Sequence, residues 1–247
     1  MTYCVAISVK AGMVFCSDSR TNAGVDQVST YSKMFRFDLG LERQFVVLTA
    51  GNLATSQAVI TQLRNDLRQS APRTLNTVTS ISEAADYLGD ISRVAQEKHA
   101  TQNFLASFLL GGQIKGSEHG ITMIYPEGNH IRSSKDTPFL QIGESKYGKP
   151  ILDRIISLNT ALESAALCAL VSMDATLRSN LTVGPPIEVL LYPANSFDTH
   201  RHFRFEEDND YLRALKKNWD AQLVEAFKLL PQMNWSASEE QADDDAI

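Results

Sequence analysis

Cysteine is scarce in this chain: Cys4, Cys16 and Cys168 are the only three in 247 residues. An odd number placed in apolar runs excludes a disulfide scaffold, and all three read as buried free thiols rather than catalytic ones. Histidine is scarce too. His99, His119, His130, His200 and His202 are scattered without metal-ligand spacing, and His200-Arg201-His202 lies in a polar, strand-like stretch. No metal site is expected. No phosphate-cradling glycine loop is found, so no cofactor is expected either. No run of about eighteen apolar residues exists to span a membrane. The N-terminus lacks the basic segment and apolar core of a secretory signal, and a cytoplasmic location fits.

What is present describes an ordinary globular protein, with 43% apolar and 21% charged residues. The length suits one large two-sheet domain, expected over residues 1–235 with a helical C-terminal extension at about 208–230. The net charge is −6. Glu239, Glu240, Asp243, Asp244 and Asp245 supply five of it, leaving −1 for the rest. That balance argues against a nucleic-acid partner, and residues 236–247 read as a solvated acidic tail.

The first 34 residues hold the chemistry. Removal of Met1 would leave Thr2 carrying a hydroxyl nucleophile and a free α-amine, which can act as its own general base. Tyr3, Val5, Ile7 and Val9 alternate with Cys4, Ala6, Ser8 and Lys10, and Met13 to Cys16 continue apolar, so a β-hairpin is expected. With Ala11-Gly12 as a two-residue turn, Thr2 falls opposite Thr21. Asp18 then runs beside Thr2, with Arg20 and Lys33 as cations able to hold its carboxylate. A cation near the amine disfavours its protonated form and frees it to accept the hydroxyl proton.

Farther along, Met34–Phe37 and Gln44–Ala50 read as strands. Asn52 can cap a helix striped by Val59, Ile60, Leu63 and Leu67. A strand, a glycine and a helix N-terminus in sequence can aim backbone N–H groups at a developing oxyanion, which makes Gly51 a candidate donor; a glycine that merely allows a tight turn fits the same residues. Ser80-Ile81-Ser82-Glu83 forms a possible capping box for a second helix with Ala84, Leu88, Ile91 and Ala95 on one face. Phe104–Leu110 and Ile121–Tyr125 read as strands, with turns at Gly111-Gly112 and Pro126–Asn129. Helices are expected at about 146–157 and 160–177, a strand at Ile187–Tyr192, and a terminal helix over Tyr211–Leu230. Leu212, Leu215, Trp219, Leu223 and Phe227 line one face of that last helix. The order implies an α+β fold with two sheets between helical layers.

Thr2, Asp18 within Cys16-Ser17-Asp18-Ser19-Arg20, Lys33, and the strand end Leu48-Thr49-Ala50-Gly51 resemble the catalytic β-subunits of proteasomes. Lys33 stands one residue nearer to Asp18 than is typical there. Tyr31-Ser32-Lys33-Met34, Ile142–Pro150, and Asp174–Asn180 followed by Gly184-Pro185-Pro186 are similar to the bacterial Anbu, or ancestral β-subunit, group. The resemblance runs to about residue 230. It implies a four-layer αββα sandwich of the N-terminal-nucleophile hydrolase type and a threonine endopeptidase acting on peptide or unfolded protein. It also implies self-association into a ring or open spiral, and any ATP-driven unfolding would come from a separate ATPase.

The same resemblance makes Gly51 the oxyanion donor and Asp174 a support for the amine. Asn22 and Thr49 would line the substrate cleft. The serine that usually follows the glycine is displaced: either Ser145 serves after a one-residue shift, or Glu144 takes its place and changes the charge at the amine. The serine expected shortly after Asp174 is also displaced, with Ser179 the nearest. Two other functions share these features: a catalytically silent subunit of the same fold, and an amidase acting on small molecules.

Overall fold

The computed structural model describes residues 1–22, 28–97 and 104–233; His99 and the acidic stretch at 236–247 lie outside the described residues. The chain divides into two compact units, Met1–Asn209 and Asp210–Ile247.

The first unit opens with β1 (Tyr3–Val9), β2 (Gly12–Ser17), β3 (Arg20–Asn22), β4 (Val28–Thr30), β5 (Met34–Asp38) and β6 (Arg43–Gly51). Helices α1 (Leu53–Arg68) and α2 (Ile81–Glu97) follow, then β7 (Ala106–Ile114), β8 (Gly120–Ile124), β9 (His130–Arg132) and β10 (Phe139–Gly143). It closes with α3 (Lys149–Ile155), α4 (Leu162–Ser179), β11 (Ile187–Pro193) and β12 (His202–Phe205). One five-stranded sheet has the order β10-β1-β2-β11-β12, the other β5-β6-β7-β8-β9, and β3-β4 form a separate ribbon. Every strand pair is antiparallel.

The sheets face each other, with α3 and α4 outside the first and α1 and α2 outside the second, which is the expected αββα sandwich. Their burial explains the sequence pattern. Both faces of the β1–β2 hairpin are covered, so its residues are apolar almost without alternation, and all but Ser8 are buried. Cys4, Ala6, Met13 and Phe15 enter the core between the sheets, with Leu48, Leu109 and Leu190. A second core lies under α1 and α2, where Val59, Ile60, Leu63, Ala84 and Leu88 meet Phe45, Phe108 and Leu110.

Local signals set the helix starts. Asn52 Oδ1 accepts the Thr55 N–H at 3.0 Å. At α2 the box is split: Ser80 Oγ accepts the Glu83 N–H at 3.1 Å, while the Glu83 carboxylate accepts the Thr79 N–H at 2.7 Å. Helix α3 starts at Lys149, later than expected, because Pro150 lacks an N–H and suits only a first turn.

Two expectations are corrected. The hairpin turn is Lys10-Ala11, since Val9 faces Gly12; continuing that register puts Thr2 opposite Ser19 rather than Thr21. The cause is β11, which draws Gly12 into the sheet so closely that a Cβ there would sit 2.0 Å from the Tyr192 carbonyl oxygen. Gly111-Gly112 is not a turn but the middle of β7. A Cβ on Gly111 would lie 2.4 Å from the Phe15 ring, and one on Gly112 would lie 2.4 Å from the Gln44 carbonyl oxygen. These glycines make room for packing. Strands β9 and β10 are additions, too short or too mixed in pattern to be read from the sequence.

The second unit consists of α5 (Asp210–Lys228) and the residues after it. No α5 residue is buried, although Leu223 and Phe227 lie on its expected apolar face. No helix among the described residues is long and apolar enough to cross a membrane.

Candidate active site

A cleft of about 270 Å³ opens where β1 begins, and Met1, Thr2, Arg20, Thr21, Lys33, Thr49 and Gly51 are among its lining residues. Backbone contacts fix Thr2. Its carbonyl accepts the Glu144 N–H at 2.7 Å. Gly143, with φ of +81°, comes so near that a Cβ there would sit 2.0 Å from the same oxygen, so only glycine fits both the conformation and the space.

Asp18 and Lys33 meet as the spacing suggested. Lys33 Nζ donates to Asp18 Oδ1 at 2.7 Å, and both side chains are almost fully buried. The Asp18 carboxylate also accepts the N–H of Tyr3 at 3.1 Å and of Gly184 at 3.2 Å. Burial pushes the Asp18 carboxyl above its usual range, against the pull of Lys33 and these two N–H groups.

Arg20 is corrected: its guanidinium does not hold Asp18. It donates to the Leu181 carbonyl at 2.9 Å and pairs with Glu207 at 3.7 Å. The Arg20 backbone participates instead, its carbonyl accepting Lys33 Nζ at 2.6 Å. Thr49, buried on β6, donates its N–H to the Lys33 carbonyl at 3.0 Å and so seats the lysine on the second sheet.

Gly51 ends β6 with φ of +108°, its Cα facing the Leu105 carbonyl so closely that a Cβ would lie 2.3 Å from that oxygen. It lines the cleft with Thr2, and Asn52 begins the cap of α1 directly after it. Asn22 stands in β3 opposite Val28.

The Glu144 carboxylate bears electrostatically on the α-amine. The chain's α-amine, carried here by Met1, is held below its usual 8.0, first by burial and then by Lys33, while the carboxylates of Asp18 and Glu144 pull it back up. Glu144 is buried, accepts Asn180 Nδ2 at 2.9 Å and lies 3.6 Å from Lys146 Nζ. The Ser145 carbonyl accepts Gln141 Nε2 at 3.2 Å, and its N–H donates to the Gly143 carbonyl at 3.0 Å. Asp174 is half-buried on α4, and Ser179 is exposed at that helix's last position.

Several residues that the sequence did not single out hold this arrangement. Ser172 Oγ donates its one hydrogen to the Ala169 carbonyl at 2.8 Å, so the Tyr3 hydroxyl donates to Ser172 across 3.0 Å. That hydroxyl accepts Gln141 Nε2 at 2.7 Å. Beneath Asp18, Glu188 accepts Ser19 Oγ at 3.2 Å and lies 3.0 Å from His202 Nε2. Burial opposes its ionisation, but His202, Ser32 and Ser19 outweigh burial and hold its carboxyl below the usual range. Contacts this distant in sequence leave no local signal.

The three thiols are free and buried, and burial pushes Cys168 up to about 12, so they are inert. Among the described residues no histidine, cysteine and carboxylate group is arranged to hold a metal.

The proteasome subunit family model matches residues 2–191. The chain is similar in structure to Anbu (ancestral beta-subunit) from Yersinia bercovieri, with a TM-score of 0.90, 46% identity, and coverage of 94% of this chain and 98% of that one. It is similar to the Pseudomonas aeruginosa Anbu complex, solved as a helical assembly, at TM-score 0.90 and 44% identity, covering 95% and 99%. Anbu from Hyphomicrobium sp. strain MC1 matches at TM-score 0.88 and 43% identity, covering 94% and 99%. No curated protein matches.

Proposed function

Because the chain belongs to the proteasome subunit family, and within it to the Anbu proteins, we propose that it is a threonine-type N-terminal-nucleophile peptidase, active once Met1 is removed. The observation that carries this reading is the buried 2.7 Å contact of Lys33 with Asp18 in the cleft that Thr2 lines. Burial and a cation fixed there both disfavour the protonated form of an α-amine at this place, and an unprotonated amine is the base that an N-terminal threonine needs.

In the proposed cycle the amine of Thr2 takes the hydroxyl proton as Oγ1 attacks a peptide carbonyl. The Gly51 N–H donates to the tetrahedral oxyanion. Collapse breaks the C–N bond, the protonated amine of Thr2 gives its proton to the leaving nitrogen, and an acyl ester remains on Oγ1. Water, deprotonated by the same amine, then hydrolyses the ester and restores the hydroxyl. Glu144 and Asp174 are assigned to support the amine, and Thr49 and Asn22 to line the substrate cleft.

Self-association is part of the proposal. The Pseudomonas aeruginosa relative forms a helical assembly, and α5 carries Leu223 and Phe227 unburied in a single chain. Peptide or unfolded protein is the substrate class, with unfolding left to a separate ATPase.

Intact-mass spectrometry before and after exposure to a peptide epoxyketone tests this reading. Loss of Met1 and a single adduct mapped to Thr2 are expected, and Thr2→Ala, with Met1 still removed, abolishes both adduct and turnover. A retained Met1 with no adduct, or full activity in Thr2→Ala, overturns it; the first outcome makes the chain a silent subunit of the same fold.

A further inference from the structure

A second and larger cleft, about 1000 Å³, lies at the other end of β1. It is lined by Val9 and Lys10, by the β7–β8 turn at Ser117–His119, by Arg132 to Lys135, and by Asn195 after β11. Val9 is seven residues beyond Thr2, roughly 23 Å along an extended strand, so the two clefts are at opposite ends of the sandwich.

The charge here is unlike that of the rest of the chain. Lys10, Arg132, Lys135 and His119 face a single carboxylate, Glu118, in a protein whose net charge is −6. Among the described residues Lys10, Arg132 and Lys135 form no ion pair; Arg36, Arg43 and Arg154 form none either but each donates to a backbone carbonyl, so three cations gathered around one open space set this cleft apart.

The floor is polar and fixed. Gln113, 2% exposed, donates to the Ser117 carbonyl at 2.9 Å and to Asn195 Oδ1 at 2.8 Å, and its own carbonyl accepts the Tyr192 hydroxyl at 3.0 Å and the Asn195 N–H at 2.8 Å. It therefore ties the β7–β8 turn to the end of β11. His119 Nε2 contacts the Val9 carbonyl at 2.8 Å. A carbonyl only accepts, so Nε2 carries the hydrogen, and the ring is oriented by the backbone.

We propose that this cleft binds a small oligoanion bearing two or more phosphoryl groups, at a site independent of the Thr2 cleft. Arg132 offers a planar fork that matches phosphate oxygens, Lys10 and Lys135 add point charges from a separate segment and from the same loop, and Ser133 and Ser134 supply hydroxyls. One phosphoryl group leaves most of such a volume unfilled, and cations on two separate segments suit a ligand with its charge spread along its length.

The test is titration calorimetry of the full chain with inorganic tripolyphosphate. Binding near one equivalent per chain, weakened by added salt, is expected. Arg132→Gln with Lys135→Gln weakens it by about tenfold or more, while Lys216→Gln with Lys217→Gln on α5 leaves it unchanged. A nucleoside triphosphate that binds more tightly than tripolyphosphate identifies a nucleotide as the source; equal affinities identify polyphosphate; binding only to anionic phospholipid vesicles identifies a lipid headgroup and overturns the small-ligand assignment. No heat with any phosphate probe, or equal losses in both double variants, overturns the site itself. Far-ultraviolet circular dichroism and thermal midpoint confirm that each variant is folded. Epoxyketone labelling of Thr2 is not required for any arm, so failure here leaves the peptidase reading untouched.

Discussion

The two ends of the sandwich handle positive charge in opposite ways. At the Thr2 end, Lys33 is buried against Asp18 at 2.7 Å and its ammonium also reaches the Arg20 carbonyl. At the far end, Lys10, Arg132 and Lys135 are exposed around a larger space and, among the described residues, pair with no carboxylate. A buried cation must be paired, since an unpaired charge out of water costs several kcal/mol. An exposed one is tolerated alone by hydration. The same residue type is thus a fixed electrostatic element at one end and an unpartnered charge, available to a ligand, at the other.

The largest expected effect breaks the buried end. Lys33→Ala leaves Asp18 buried without its cation, and about 3–5 kcal/mol of stability should be lost at neutral pH, read from denaturant unfolding. Labelling of Thr2 by an epoxyketone should fall by at least about 100-fold. A variant as stable and reactive as the parent would mean that the pair is not the electrostatic element assigned here.

Glu144 sharpens the picture of the same end. The α-amine that Met1 carries is held below its usual 8.0 because burial and Lys33 disfavour its charged form, while Asp18 and Glu144 favour that form, and the Thr2 amine exposed by loss of Met1 is expected to meet the same charges. An amine is a base only when unprotonated, so labelling of Thr2 should rise with pH and then level off. Glu144→Gln removes a charge that raises the amine, so its rising limb should move to lower pH. A move to higher pH in the labelling profile would contradict the assignment of Glu144.

The smallest effect is expected at the far end. Lys10→Ala, without ligand, should change stability by no more than about 0.5 kcal/mol, because no partner is lost. A thermal midpoint lowered as much as in Lys33→Ala would erase the contrast.

The order of elements was legible in the sequence because it rests on local physics. Apolar runs covered on both faces, the Asn52 cap and the α1 stripe announce their own structure. Approximate spacing also brought Asp18 and Lys33 to one end, since strand geometry propagates from residue to residue, whereas Thr49 and the choice of Gly51 over a plain tight turn came through the resemblance to proteasome β-subunits. Register did not follow, because β11 rather than the turn sequence decides where Gly12 sits. Gly111-Gly112 misled for the same reason: their meaning lies in the Phe15 ring and the Gln44 carbonyl of other strands.

What the sequence determined by itself is the candidate chemistry: a threonine one residue from the start, a carboxylate and a lysine at strand spacings, and a glycine before a capped helix. Only the tertiary structure decided which cation takes Asp18, that Arg20 contributes its carbonyl rather than its guanidinium, that the Glu144 carboxylate bears on the α-amine carried by Met1, and that Tyr3, Ser172 and Gln141 brace the hairpin. The reason is range. Propensity and periodicity act over a few residues, whereas a charge or a hydrogen bond is settled by whichever chain segment arrives within about 3 Å, however distant in sequence.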